Sequence, residues 1–124
     1  MSYQIERLEH HPALLIKFNQ DFVVPNDILA YMIEAKVILE QEPEPISILL
    51  DLTDYNLSLD NLLHGTKISM KPENNIAKQV NVKQIIAITD SKIIVRSLDG
   101  FMSLGLGDNI IGVSSLDEAL EKLS

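Results

Sequence analysis

Apolar and polar positions change their period along the chain, and the changes mark its elements. In YQIERLE (3–9), Tyr3, Ile5 and Arg7 alternate with Gln4, Glu6 and Leu8, the period of two expected of a strand with unlike faces. His10-His11-Pro12 breaks the pattern and ALLIKF (13–18) resumes it as a second strand. A polar connection this short implies an antiparallel hairpin. From Pro25-Asn26-Asp27 the period lengthens: Ile28, Met32, Ala35 and Leu39 recur at i, i+4, i+7 and i+11, one buried stripe of a helix. Asn26 or Asp27 can cap the free amides, and Asp27 suits the positive end of the helix dipole. Glu42-Pro43-Glu44-Pro45 ends the helix, because proline lacks the amide donor and restricts the residue before it.

ISILLDL (46–52) and QIIAITD (84–90) are short, nearly continuous apolar runs, as expected of strands covered on both faces. A weaker helix is predicted from about Ser58, carrying Leu59, Leu62 and Leu63 and limited by Gly65 and Pro72, with a loop or extra turn over 71–81. Ser91 caps a helix bearing Ile94, Leu98, Phe101 and Met102, which Gly105 and Gly107 terminate. NIIGVS (109–114) is the last strand. Ser115-Leu116-Asp117-Glu118 is a capping box that opens a final helix with Leu116, Ala119, Leu120 and Leu123 on one face.

The predicted order is β-β-α-β-α-β-α-β-α. Strands alternating with helices imply parallel pairing through right-handed crossovers, so the expected fold is α/β, a mixed five-stranded sheet with an N-terminal antiparallel hairpin and helices packed on it. The length of 124 residues fits a single domain over 1–124, and a content of 46% hydrophobic residues supplies one core.

Composition narrows the function classes. Without cysteine there is no disulfide, thiol nucleophile or thiolate metal site. Ten Lys and Arg against eighteen Asp and Glu give a formal charge of −8, which opposes binding to nucleic acid or anionic membranes. No secretory signal pattern opens the chain and no apolar run approaches the roughly 20 residues of a membrane span. A cytoplasmic location is expected.

Two strand ends look alike, Leu52-Thr53-Asp54 and Ile88-Thr89-Asp90. In open α/β sheets ligands bind beyond the carboxyl ends of the strands. If these strands are neighbours, Thr53, Asp54, Ser58, Thr89, Asp90 and Ser91 share one rim, a phosphorylation, cation or small polar-ligand site. The same residue types also cap the helices that follow them, so both readings stand. His10 and His11 are adjacent, a poor pair for one metal on a strand, and His64 is distant; no metal site or cofactor is expected. Gly100, Gly105 and Gly107 precede a strand and lack the spacing of a phosphate loop. No serine sits in a nucleophile elbow or beside a His–acid pair. An enzyme is not expected. Apolar positions between Leu98 and Leu106 could serve a partner or a second copy.

The segments SYQIERLEHHPALLIKF, ILLDLTDY, DLTDYNLSLDNLL, IIAITDS and LDEALEKL, in this order of elements, resemble the STAS superfamily and within it the small bacterial SpoIIAA-like (STAS/SEC14-type) proteins. The resemblance spans nearly the whole chain and rests on topology and hydrophobic pattern. In the anti-sigma-factor antagonists of that superfamily, Asp-hydrophobic-Ser/Thr ends a strand and a helix then opens with a serine that a kinase phosphorylates. Asp51-Leu52-Thr53 is similar to the first part. Asp60 stands where the phosphorylated serine falls, followed by Asn61 and Leu62. The resemblance therefore implies a binding or regulatory module acting through protein contacts near 53–62 without an intact phospho-serine switch, with Asp60 as a constant negative charge. It implies as an alternative a carrier of a small apolar or lipid-like ligand between sheet and helices, as in related lipid-binding folds, with 59–79 as the lid.

Overall fold

The structure, a computed structural model, describes residues 2–22, 26–55, 58, 60, 82–96 and 110–123. Strands β1 (Tyr3–Arg7) and β2 (Ala13–Phe18) form the antiparallel hairpin that their alternation predicts, with Tyr3 opposite Phe18 and Arg7 opposite Leu14. The Arg7 guanidinium braces the connection: Nη1 donates to the Leu8 and His11 carbonyls at 2.6 and 2.7 Å, and Nε donates to Glu42 at 3.1 Å. The two histidines thus belong to a turn. Helix α1 (Asn26–Glu40) follows, then β3 (Ile46–Asp51), β4 (Val82–Ile88), the helix α2 described over residues 92–96, β5 (Ile110–Val113) and helix α3 (Leu116–Glu121).

The sheet runs β1-β2-β3-β4-β5, antiparallel between β1 and β2 and parallel thereafter. Each parallel crossover moves in the same direction across it, so right-handed connections fall on one face. Helices α1 and α2 lie there. The row Ile5–Ile16–Leu50–Ala87–Gly112, read from the strand registers, crosses that face. It tapers to Ala87 and Gly112 where α2 packs: Ile94 is buried against Ala87, and a Cβ on Gly112 would lie 3.2 Å from Val95 Cγ1. Small residues here let the helix backbone approach the sheet.

Helix α3 is no crossover, and it covers the opposite face, where Ala119 joins Leu49, Ile86, Ile88 and Val113. Leu14, Ile16, Ile48, Leu49, Ile86 and Ile88 are fully buried, each stabilising the fold by about 1.5–3 kcal/mol relative to exposure. Because β3 and β4 are covered on both faces, they read as continuous apolar runs, with Ser47 and its partner Gln84 as the polar pair between them, Oγ accepting from Nε2 at 3.2 Å. A bulge at Lys83 shifts the register, since Ile46 pairs with Val82 and Ser47 with Gln84.

Four expectations change in detail. Strand β3 stops at Asp51 and β4 at Ile88, because the polar side chains that follow bond to their own backbone. Asn26 is itself helical and opens α1, rather than standing outside the helix as its cap. Leu116 is 39% exposed and lies off the buried stripe of α3, which Ala119, Leu120 and Leu123 carry instead. The cap of α3 is also displaced. Ser115 Oγ accepts from the Glu118 amide at 3.1 Å, but Glu118 Oε2 accepts from Ser114, from its amide and its hydroxyl, rather than from Ser115. The predicted helix from Ser58, the loop over 71–81, the glycines at 100, 105 and 107, His64 and the 98–106 apolar stretch lie outside the described residues, apart from Ser58 and Asp60 themselves.

Candidate functional site

The two similar strand ends are adjacent. Asp51 on β3 pairs with Ile88 on β4, and the Leu52 amide donates to the Ile88 carbonyl at 2.8 Å. Thr53 and Asp54 therefore rise from the same sheet edge as Thr89, Asp90 and Ser91.

Each side chain at this edge has a local task. Asp51 Oδ1 accepts from the Thr53 amide at 3.0 Å and from the Thr53 hydroxyl at 2.6 Å, an Asx turn that ends the strand. Thr89 is buried, its amide donates to the Val113 carbonyl at 2.9 Å, and its Oγ1 accepts from the Ser91 amide at 3.2 Å. Ser91 Oγ in turn accepts from the Ile94 amide at 3.4 Å and caps α2. The same residue types thus serve as caps and turns on both strands. Thr53, Asp54, Ser58, Asp60 and Asp90 are exposed, and Asp60 is helical.

Lys17 and Tyr55, which the sequence pattern does not single out, complete the site together with Asp51. Lys17 on β2 lies opposite Asp51 in the sheet, and its Nζ meets Asp54 Oδ2 at 3.0 Å. The hydrogen bond to Asp54, and then its charge, raise the Lys17 pKa. Asp51 anchors the turn. Tyr55 turns inward and packs edge-on against Phe22, ring centroids 5.5 Å apart. The register between β2 and β3 decides that Lys17 faces Asp51, and no local signal carries it.

Beneath Tyr55, on the α1 face, lie Phe22, Phe18, Tyr31 and Tyr3. The three Tyr of the chain and two of its three Phe join this cluster, and Phe101 lies outside the described residues. Its pairs meet at 4.6–6.4 Å, mostly edge to face, the geometry aromatic quadrupoles prefer. Burial raises the Tyr31 pKa, and burial followed by Glu34 raises that of Tyr3; both rings remain neutral phenols. The rings fill this end of the core with protein. The expected carrier lid, 59–79, lies outside the described residues apart from Asp60.

The row Gln4–Lys17–Asp51–Ile88–Val113 crosses the sheet on the α3 face. It is polar over β1 to β3 and apolar over β4 and β5, where α3 packs. Among the described residues no group of three His, Asp or Glu side chains is arranged to hold a metal ion, and no helix is long and apolar enough to cross a membrane.

No family model and no curated protein matches the chain. Solved structures do. One is an uncharacterised protein of the DUF3478 family with a SpoIIAA-like fold from Shewanella loihica PV-4, 18% identical, with a TM-score of 0.64 over 98% of this chain and 92% of that one. The hairpin, the three parallel β-β pairs and the helices of this chain follow the same plan, and the protein has the SpoIIAA-like fold.

Proposed function

We propose that this protein is a non-enzymatic binding or regulatory module that engages a partner protein through the strand-end rim, with Thr53, Asp54, Ser58, Asp60 and Asp90 as its contact side chains. The observation that carries the reading is the fixed geometry of the rim's central turn. Asp51 holds Thr53 from below, Lys17 holds Asp54 from the side, and Tyr55 seats the turn on the aromatic cluster. Exposed groups on a turn already ordered lose little freedom on docking. Thr89 and Ser91 support the rim from beneath, as turn and cap.

The chemistry favours a partner with a basic surface. Asp54, Asp60 and Asp90 are exposed in a chain of formal charge −8, and complementary potential speeds and orients encounter. The hydroxyls of Thr53, Thr89 and Ser91 take part in turn and cap bonds, which supports contact rather than nucleophilic chemistry. By its resemblance to the anti-sigma-factor antagonists, the chain carries Asp60 where those proteins have the phosphorylated serine, and its charge would not come and go.

The test is an affinity capture from extract of the host organism with wild type and Asp60→Lys, both confirmed to melt alike. Wild type retains a partner that Asp60→Lys loses. Equal retention removes the 53–62 segment as the contact.

A further inference from the structure

Helix α1 is apolar on two opposite sides. Its inner side buries Tyr31, Met32, Ala35 and Leu39. On its outer side Leu29, Ile33 and Val37 recur at i, i+4 and i+8 and are 41%, 67% and 53% exposed. A surface helix in a globular protein normally carries charge on the side away from its core, and a helix apolar all round is normally covered. We infer that the Leu29–Ile33–Val37 ridge of α1 is the contact face of a homodimer, in which α1 meets α1 of a second copy about a two-fold axis at Ile33.

Two observations select a second copy as the occupant. The first is charge. The chain carries a formal −8, so two copies repel over most approaches. Around the helix, the described side chains within about 60° of Ile33 are Leu29, Ala30, Val37, Lys36 and Glu40, one cation and one anion. This face is neutral and brings no net like charge together. The second is shape. An i, i+4, i+8 row is a ridge of the kind that interdigitates with its own copy at a crossing angle of about 50°. A two-fold axis at Ile33 sets Leu29 toward Val37 of the second copy and Ile33 against its own equivalent, the self-complementary pattern of an isologous contact. A single helix crossing falls among small interfaces, roughly 1,200 Å² or less in total, which gives weak association.

Sedimentation equilibrium over roughly 1 µM to 1 mM, the range that brackets a weak dimer, tests this with wild type, Ile33→Glu and Ile33→Lys. Position 33 is exposed, so both variants keep the far-ultraviolet circular dichroism and melting behaviour of wild type. Wild type shifts from monomer to dimer with concentration. Each variant alone stays monomeric through like charges at the axis, and an equimolar mixture of the two recovers the dimer. A wild type that is monomeric throughout overturns the inference; that is the result if a different protein, or another segment of the same chain, covers the ridge. A dimeric Ile33→Glu, or a mixture that stays monomeric, overturns it as well.

Discussion

The Asp51 carboxylate accepts both the backbone amide and the hydroxyl of Thr53, at 3.0 and 2.6 Å, through the same oxygen. That pair of hydrogen bonds to one residue is what turns the chain at the end of β3. It leaves the Thr53 and Asp54 side chains above the sheet edge and directs Tyr55 back into the core. The turn belongs to the fold, and the side chains it displays are themselves held, Thr53 by Asp51 and Asp54 by Lys17.

Asp51→Ala removes both bonds and should lower the unfolding free energy by about 1 kcal/mol, the scale of a lost cap or of one net hydrogen bond. Thr53→Val keeps the amide bond and loses only the exposed hydroxyl bond, for a smaller loss of about 0.5 kcal/mol. Urea titration with an unchanged m-value measures both. Equal losses would mean that the hydroxyl, not the amide, carries the turn.

On the α1–α2 face of the sheet, Gly112 and Val95 set how closely α2 meets β5. A methyl group at 112 would sit 3.2 Å from Val95 Cγ1, tighter than most such contacts, and 3.4 Å from Val95 Cα. Gly112→Ala is therefore expected to destabilise by about 1 kcal/mol through overpacking. Val95→Ala makes room for the added methyl. The double variant should be more stable than the sum of the two single losses predicts, because the residues touch. Strict additivity in thermal or urea unfolding would place α2 farther from the strand.

Much of this architecture is legible in the sequence, for local reasons. The alternation in 3–7, the stripe Met32–Ala35–Leu39, the apolar runs of β3 and β4 and the Ser115 cap are nearest-neighbour patterns, and each forms the element its period dictates. The candidate rim was half legible. Thr53, Asp54, Thr89 and Ser91 announce a strand end and a cap by residue type. Lys17 does not, because its place beside Asp51 and Asp54 depends on the β2–β3 register, 34 residues apart in sequence at the Lys17–Asp51 pair. Tyr31 is likewise absent from the predicted stripe and is buried by aromatic neighbours from β1, β2 and the Phe22 turn. The outer ridge of α1 escapes a search for one buried stripe, since Leu29, Ile33 and Val37 form a second stripe on the same helix.

The displaced cap of α3 supplies a pH signature. The amide and then the hydroxyl of Ser114 hold the Glu118 carboxyl below its ordinary value of 4.5, because both bonds favour the charged form. A carboxyl whose pKa is lower in the folded than in the unfolded state stabilises the fold above the unfolded value. That contribution fades as the pH falls through the depressed folded value. Glu118→Gln keeps an acceptor but cannot titrate, so wild type should melt higher than the variant at neutral pH. The gap should hold steady down to about pH 4.5 and close below it. Ser114→Ala removes the hydroxyl bond and leaves the amide bond, so it should narrow the gap without abolishing it. Melting temperatures of the three proteins across that range decide the point: a gap independent of pH would mean that Glu118 caps α3 through its shape alone.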